Sequence, residues 1–248
     1  MQELIDRKPI ARPLAPADRP LLRLTILLVE DSRLCSETVR LMCQRSGARL
    51  RRADSLLSAR RHLATYRPSL VLVDIGLPDG SGLDLVRALA SHRPNAPVIL
   101  VTSGEDAGLC RAGASDAGAD GFIEKPVRDI KEFQRIILSF FPGHRAGAAA
   151  NVVPFYPLGA PNQQMVAEDL QQAQSLLHDA VARDDKALIL YGAQFLHSVA
   201  EAAGNEKLSD LALRLGKSTR QGRPLAAQAA NLQSYLSRQI EDRQKPVQ

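Results

Sequence analysis

The sequence predicts a doubly wound α/β domain with a five-stranded parallel sheet, followed by an all-α domain of four bundled helices. Up to about residue 141, short apolar runs alternate with longer segments of helical periodicity, a pattern typical of βα units. Beyond about residue 162, apolar residues recur at helical spacing without strand-like alternation. The 248 residues suffice for two domains, and a 45% hydrophobic content can fill two cores.

The α/β domain is predicted to span residues 23–141, after a proline- and arginine-rich arm of residues 1–22 that we expect to be disordered. Ser32 is a suitable N-cap for the first helix, and Gly47 is suited to end it. The predicted strands are 24–30, 48–53, 69–74, 97–102 and 120–124. The predicted helices are 32–46, 55–66, 82–92, 105–116 and 127–141.

Residues 142–161 are predicted to be a linker, because proline and glycine recur there among small residues. The helical domain is predicted to span residues 162–245. Each of its segments carries one apolar stripe, and short loops between such segments favour an antiparallel four-helix bundle. The predicted helices are 162–183, 185–203, 205–221 and 224–244.

Five polar residues follow or end the predicted strands of the α/β domain. They are Glu30, Asp31, Asp74, Thr102 and Lys125. Parallel sheets carry their sites at the carboxyl ends of the strands, so these side chains are expected to converge on one rim, with Thr102 and Lys125 exposed there. Three carboxylates, a hydroxyl and an ammonium group together predict a site for a hard cation and a phosphoryl group.

Mg²⁺ prefers oxygen ligands and retains several waters, so a few carboxylates and phosphate oxygens suit it. Glu30, Asp31 and Asp74 supply carboxylates, and a backbone carbonyl near Gly76 can add another oxygen. With the metal bound, Asp74 can attack phosphorus and form an aspartyl-phosphate. The Lys125 ammonium would then face the phosphoryl oxygens, and the Thr102 hydroxyl would donate a hydrogen bond to one of them.

These motifs resemble the receiver domain of bacterial two-component response regulators, a flavodoxin-like fold, over about residues 23–141. The matching stretches are ILLVEDS (26–32), VDIGLPDGSG (73–82), PVILVTS (97–103) and GADGFIEKP (118–126). The resemblance implies that Asp74 is the phosphoacceptor, that Glu30 and Asp31 bind Mg²⁺, and that Lys125 contacts the phosphoryl group. It further implies that Thr102 is the switch hydroxyl and Phe122 the switch aromatic.

The helical domain more weakly resembles the histidine phosphotransfer (HPt) domain, over about residues 162–245. The stretch AQFLHSVAEAAGNEKL (193–208) fits the frame of that family, with Gly204 in register. Gln194 stands where the phosphorylated histidine belongs, His197 replaces a lysine and Ser198 a glycine. Because glutamine has no nucleophilic ring nitrogen, the resemblance implies a degenerate domain. We interpret His197 as a surface or partner-contacting residue.

Composition excludes several other classes of protein. The chain has no signal peptide and no run of 18 apolar residues, so we expect a cytoplasmic protein with no membrane partner. Three scattered cysteines do not predict a disulfide framework or a zinc site. The net charge of +5 arises mostly before residue 142, and no recognition-helix signature follows it, so no nucleic-acid partner is expected.

The sequence therefore predicts a response regulator rather than a turnover enzyme. Its expected cofactor is Mg²⁺, and its expected phosphodonor is a sensor histidine kinase or an HPt protein. The bundle would provide a docking surface, with another receiver or a kinase as a possible partner. Two alternatives stay open: phosphotransfer through His197 or His178, and a DNA-binding transcription regulator.

Overall fold

The computed structural model describes residues 19–104, 107–142, 144 and 161–244 of the chain. Its strands are β1 (Thr25–Val29), β2 (Arg49–Ala53), β3 (Leu70–Asp74), β4 (Gly76–Leu77), β5 (Gly80–Ser81), β6 (Val98–Ser103) and β7 (Gly121–Glu124). Its helices are α1 (Arg33–Ser46), α2 (Leu56–Thr65), α3 (Gly82–Ala90), α4 (Ala107–Asp116), α5 (Ile130–Ser139), α6 (Gln163–Ala182), α7 (Lys186–Ala203), α8 (Glu206–Arg220) and α9 (Ala226–Gln244).

The main sheet is five-stranded and parallel, with the strand order β2-β1-β3-β6-β7. Alternate residues of each strand face opposite sides, because successive side chains of a strand point to opposite faces. Leu27 and Val71 pack on the side of α2, α3 and α4. Leu28 and Leu72 pack on the side of α1 and α5. The two apolar faces explain why the central strands are almost continuous runs of apolar residues.

Helices α6 to α9 form the second region and bury their own apolar cluster. Leu170 and Leu177 of α6, Leu196 of α7, Leu215 of α8 and Leu236 of α9 are each at most 1% exposed. The predicted fold class, a doubly wound parallel sheet followed by a helical bundle, is confirmed. None of the described helices is long and apolar enough to cross a membrane.

Three features differ from the predicted elements or lie beyond the description. Leu21, assigned to the disordered arm, is fully buried beside β1, so the predicted end of that arm is wrong. The short antiparallel pair of β4 and β5 was not predicted. Residues 1–18 of the arm, and residues 143 and 145–160 of the linker, lie outside the described residues.

The bundle packs on the carboxyl edge of the parallel sheet through α6 and α7. Leu34 of α1 belongs to the apolar cluster of the bundle, and Asp169 of α6 hydrogen-bonds to the amides of Arg33 and Leu34. Arg33 also forms an ion pair with Glu168. The edge at which the polar residues were expected therefore faces another part of the chain.

Gly82 fixes the position of the strand end that carries Asp74. A Cβ atom at residue 82 would lie 1.9 Å from the carbonyl oxygen of Asp74 and 2.8 Å from Cγ1 of Val73. The backbone amide of Gly82 also donates to the carbonyl of Ile75. A side chain at this position would therefore push the end of β3 out of place.

We predict that Gly82→Ala lowers the free energy of unfolding by about 1–3 kcal/mol, because overpacking costs about that much. Urea denaturation measures this change. Gly113→Ala is the matched control, since a Cβ there would meet no atom closer than 3.6 Å. The free energy of unfolding of Gly113→Ala should rise by about 0.5–1 kcal/mol, because alanine is more favourable than glycine within a helix. Equal effects of the two substitutions would contradict the steric argument.

Candidate functional site

The structure brings the five predicted polar residues together at the carboxyl edge of the sheet. Strand pairing aligns the Cα atoms of Asp74 and Thr102, and Glu30 and Asp31 directly follow the neighbouring strand β1. One carboxylate oxygen each of Glu30, Asp31 and Asp74 lies within 4.8 Å of the others. Convergence follows from topology, because adjacent parallel strands end at the same edge.

Lys125 links two of these carboxylates. Its Nζ atom lies 2.6 Å from Oε2 of Glu30 and 2.9 Å from Oδ2 of Asp74. The lysine side chain is only 6% exposed, and the three acidic residues are similarly buried. A buried ion pair of this kind needs close geometry, because both charges lose their hydration.

The rim is buried, whereas we expected Thr102 and Lys125 to lie on an exposed rim. Thr102 is 2% exposed and Asp74 is 5% exposed. The bundle accounts for this difference, since α7 packs against β4 directly beyond Asp74. The exposure expected for Thr102 and Lys125 was wrong because the helices of the bundle cover this edge of the α/β domain.

Burial changes the protonation of the acidic cluster. The pKa of Asp31 rises to about 8 because of burial and the nearby charges of Glu30 and Asp74. Burial also raises the pKa of Asp74, although Lys125 acts in the opposite direction. Burial alone would lower the pKa of Lys125, but the two carboxylates raise it well above its usual value.

The two predicted switch residues occupy separate positions beside the cluster. The Thr102 hydroxyl lies 3.5 Å from the carbonyl oxygen of Val73, a long contact for a hydrogen bond. Phe122 is 9% exposed, and the guanidinium carbon of Arg111 lies 5.1 Å from the centre of its ring. Among the described residues, Thr102 forms no hydrogen bond to a carboxylate of the cluster. The phenyl ring of Phe122 has no group that could form one.

Two residues of the bundle reach the site and were not predicted. The Tyr191 hydroxyl donates a hydrogen bond to Oδ2 of Asp31. The Asp169 carboxylate accepts hydrogen bonds from the Ser32 hydroxyl at 2.8 Å and from the amides of Arg33 and Leu34. In the sequence Tyr191 falls on an apolar stripe with Leu188, Phe195 and Val199, and no sequence motif distinguishes Asp169.

The degenerate HPt positions also face the α/β domain. The Gln194 amide lies against Gly76, where a Cβ atom on the glycine would come within 2.7 Å of the Gln194 Cδ atom. His197 is 7% exposed; its Nε2 donates to the Gly104 carbonyl at 2.7 Å, and Nδ1 lies 2.9 Å from the Ser209 hydroxyl. His178 lies on the exposed side of α6, away from this contact.

The donor set fits a hard divalent cation. Three buried carboxylates supply oxygen ligands, and a single ammonium group offsets only part of their charge. Oδ1 of Asp74 is buried and has no hydrogen-bond partner among the described residues. An unpartnered buried carboxylate oxygen is costly, so a ligand at this atom would be favourable.

We predict that the cation-free protein loses stability as pH rises from about 5 to about 8. The folded state retains protons on carboxyls whose pKa is raised, to about 8 for Asp31, whereas the unfolded chain releases them near its usual value of 3.8. The folded state therefore binds more protons in this range, so the free energy of unfolding falls with rising pH.

Urea unfolding in a chelator at several pH values measures this effect. We expect a decrease of more than about 1.4 kcal/mol, the equivalent of one pKa unit. Asp31→Asn is the control, because an amide cannot titrate and the pH dependence should flatten. If the free energy of unfolding depended on pH equally in the wild type and in Asp31→Asn, the assignment of the retained proton to Asp31 would be contradicted.

The chain is similar to known proteins over about half of its length. The sequence profile of the response regulator receiver domain family matches residues 26–137. The KDP operon transcriptional regulatory protein KdpE of Escherichia coli K12 is 32% identical over 124 residues, covering 50% of this chain and 54% of KdpE. The probable transcriptional regulatory protein TcrX of Mycobacterium tuberculosis is 35% identical over 102 residues, covering 41% of this chain and 43% of TcrX.

A solved receiver domain from Methylobacillus flagellatus, described as CheY-like, is 27% identical, with a TM-score of 0.42. The alignment covers 47% of this chain and 97% of that chain. This chain spans about half the length of the curated relatives it matches. Helices α6 to α9 lie beyond the residues that the family profile matches. Residues 26–137 therefore belong to the response regulator receiver domain family.

Proposed function

We propose that this chain is a phosphorylation-dependent response regulator of a two-component system or phosphorelay, with Asp74 as its phosphoacceptor. The observation that carries this proposal is the buried Asp74 carboxylate, which Lys125 contacts on one side and two further acidic residues adjoin on the other. The phosphodonor would be a sensor histidine kinase or an HPt protein. The linker and the bundle would follow the boundaries predicted from the sequence, and the receiver domain would also include Leu21.

The roles of the site residues follow from their chemistry. Glu30, Asp31, Asp74 and the backbone carbonyl of Gly76 would hold Mg²⁺, which supplies positive charge to the phosphoryl oxygens when bound. A carboxylate oxygen of Asp74 forms the new bond to phosphorus, and the bond from phosphorus to the donor breaks. The Lys125 ammonium already lies beside Asp74 and would face the negative charge of the transferred group.

The switch in this proposal uses Thr102 and Phe122. The Thr102 hydroxyl has only a long contact to the Val73 carbonyl, so leaving that position costs little. It would turn to donate to a phosphoryl oxygen, and the Phe122 ring would follow into the space that is released. Output would then pass through protein contacts of the bundle, acting as a degenerate HPt domain without a reactive histidine at Gln194.

Two other functions were left open by the sequence. Phosphotransfer through His197 is disfavoured by its surroundings, because both ring nitrogens are engaged and the ring is 7% exposed. His178 is exposed, and among the described residues it forms no hydrogen bond or ion pair that would mark a transfer site. Regulation of transcription is a second candidate, because the names of KdpE and TcrX describe them as transcriptional regulatory proteins.

We predict that Asp74 is the single residue labelled by a small-molecule phosphodonor in the presence of a divalent cation. Phosphate-affinity electrophoresis and residue mapping by mass spectrometry measure the label. Asp74→Asn should abolish it while retaining the fold, because the amide matches the carboxylate in size but is a poor nucleophile. Asp79→Asn is the control, since this carboxylate accepts from the amides of Leu56 and Leu57 instead. Label in Asp74→Asn at the wild-type level would contradict the proposal.

We predict that Thr102→Ala still accepts phosphate but loses the response to it. Hydrogen exchange across residues 102–125, with and without phosphorylation, measures that response. The substitution should cost about 1 kcal/mol of stability, as is usual for a buried position without a strong hydrogen bond. Thr219→Ala, a buried threonine of α8, is the matched control and should respond normally. A wild-type response in Thr102→Ala would exclude the hydroxyl from the switch.

We predict that the bundle neither accepts phosphate nor binds DNA at physiological salt. The full chain carrying Asp74→Asn, incubated with a phosphorylated receiver, should give no acid-labile, alkali-stable label. A label that His197→Ala or His178→Ala removes would establish the phosphotransfer alternative. Electrophoretic shift of mixed-sequence DNA at physiological salt would favour the transcriptional alternative, because nonspecific attraction falls steeply with salt.

A further inference from the structure

We propose that the bundle is a latch that competes with the divalent cation for the acidic site of the receiver. The latch face consists of Asp169, Tyr191, Gln194 and His197, and its occupant is the rim of this chain's own receiver domain. The inference rests on the proposed function in one respect, the assignment of Asp31 as a cation ligand. It adds that cation binding and bundle docking exclude each other.

The direct competition is at Asp31. Tyr191 donates its phenolic hydrogen to Oδ2 of Asp31, a carboxylate oxygen of one of the three candidate cation ligands. A carboxylate that coordinates a divalent cation gives up negative charge to it and is a weaker acceptor for this hydrogen bond. Each partner therefore lowers the affinity of the site for the other.

A second contact anchors the bundle without touching a carboxylate of the cluster. The Asp169 side chain accepts three hydrogen bonds from the start of α1: the Ser32 hydroxyl and the amides of Arg33 and Leu34. Asp169 itself is fully buried, so these bonds replace its lost hydration. The anchored residues immediately follow Asp31, and a shift of their loop to suit a cation would disturb the anchor.

The latch face is fitted closely to two glycines of the receiver. Gln194 occupies the space that a Cβ atom at Gly76 would need. The Ser198 hydroxyl oxygen lies 3.1 Å from the place where a Cβ atom at Gly104 would be. His197 donates to the Gly104 carbonyl at 2.7 Å. Polar side chains of α7 thus meet backbone on both sides of the site, which places the phenol of Tyr191 over the acidic cluster.

Linkage makes the competition measurable from both sides, because two ligands that exclude each other do so reciprocally. Weakening the latch should tighten cation binding, and adding cation should loosen the latch. Asp169→Ala distinguishes this from a simple effect of charge. Removing a carboxylate near the site would weaken cation binding by electrostatics alone, whereas release of the latch strengthens it.

The experiment measures Mn²⁺ affinity of the full chain by electron paramagnetic resonance or calorimetry. Tyr191→Phe and Asp169→Ala should each bind Mn²⁺ about three- to tenfold more tightly than wild type, the fold-change of one or two hydrogen bonds. Tyr235→Phe and Asp210→Ala are matched controls and should bind like wild type. Tyr235 donates to Asn205 within the bundle, and Asp210 forms an exposed ion pair with Arg214.

A second measurement needs no substitution. Hydrogen exchange of the wild-type chain should increase in the 30–36 and 186–198 segments on addition of Mg²⁺, while the core strand 70–74 stays protected. Lower exchange in both segments would mean that the cation tightens the docked state, which would overturn the latch.

The outcomes separate the two proposals. Equal Mn²⁺ affinity of Tyr191→Phe, Asp169→Ala and wild type, or weaker binding by both variants, would overturn the latch and leave the cation site in place. Absence of Mn²⁺ binding in wild type and in both variants would overturn the cation site itself, and the latch with it. Asp31→Asn should abolish tight Mn²⁺ binding both in the wild-type chain and when combined with Tyr191→Phe or Asp169→Ala.

Discussion

The contact of Lys125 with Glu30 and Asp74 is the interaction on which the site depends. Three carboxylates within 4.8 Å of one another repel strongly when they are buried, and one ammonium group cannot neutralise all of them. The remaining negative charge is reduced by protonation and stabilised by hydrogen bonding. Asp31 has a raised pKa, and its Oδ2 atom accepts the Tyr191 hydroxyl. A divalent cation would do the same task with more charge, which is why the bundle and the cation are natural competitors.

The position of the bundle also bears on how a phosphodonor reaches the receiver. Asp74 is 5% exposed, and α7 lies against the loop that follows it. Asp74 ends β3 at the carboxyl edge of the sheet, and a donor protein that approaches over this edge meets α7, which packs against β4 there. The bundle of the same chain and a phosphodonor protein would therefore dock on the same surface of the receiver domain. In the proposed function, the state of the latch sets the access of the kinase as well as the output.

The fold and the acidic cluster could be predicted because both depend on local or topological rules. Apolar runs identify strands, helical periodicity identifies helices, and parallel topology brings Asp74 and Thr102 to one edge. The covering of that edge could not be predicted, because it depends on how two separately folded regions pack. Tyr191 has the pattern of a core residue, and the exposure expected for Lys125 took no account of a neighbour. The prediction for Leu21 failed for a different reason, since the short Leu21–Leu22 stretch after Pro20 is too brief to show a period.

The composition of α7 indicates that its receiver-facing side is adapted to a polar surface. Tyr191, Gln194 and Ser198 recur at helical spacing and carry polar atoms, while the opposite side of the helix supplies Ile189 and Leu196 to the bundle core. A polar stripe on a covered face is costly unless its partners satisfy its hydrogen bonds. Here the Asp31 carboxylate accepts from Tyr191, and the Gly104 carbonyl accepts from the neighbouring His197. In the proposed function, glutamine in place of a reactive histidine at residue 194 leaves a surface matched to the receiver edge, so that recognition persists in this bundle without phosphotransfer.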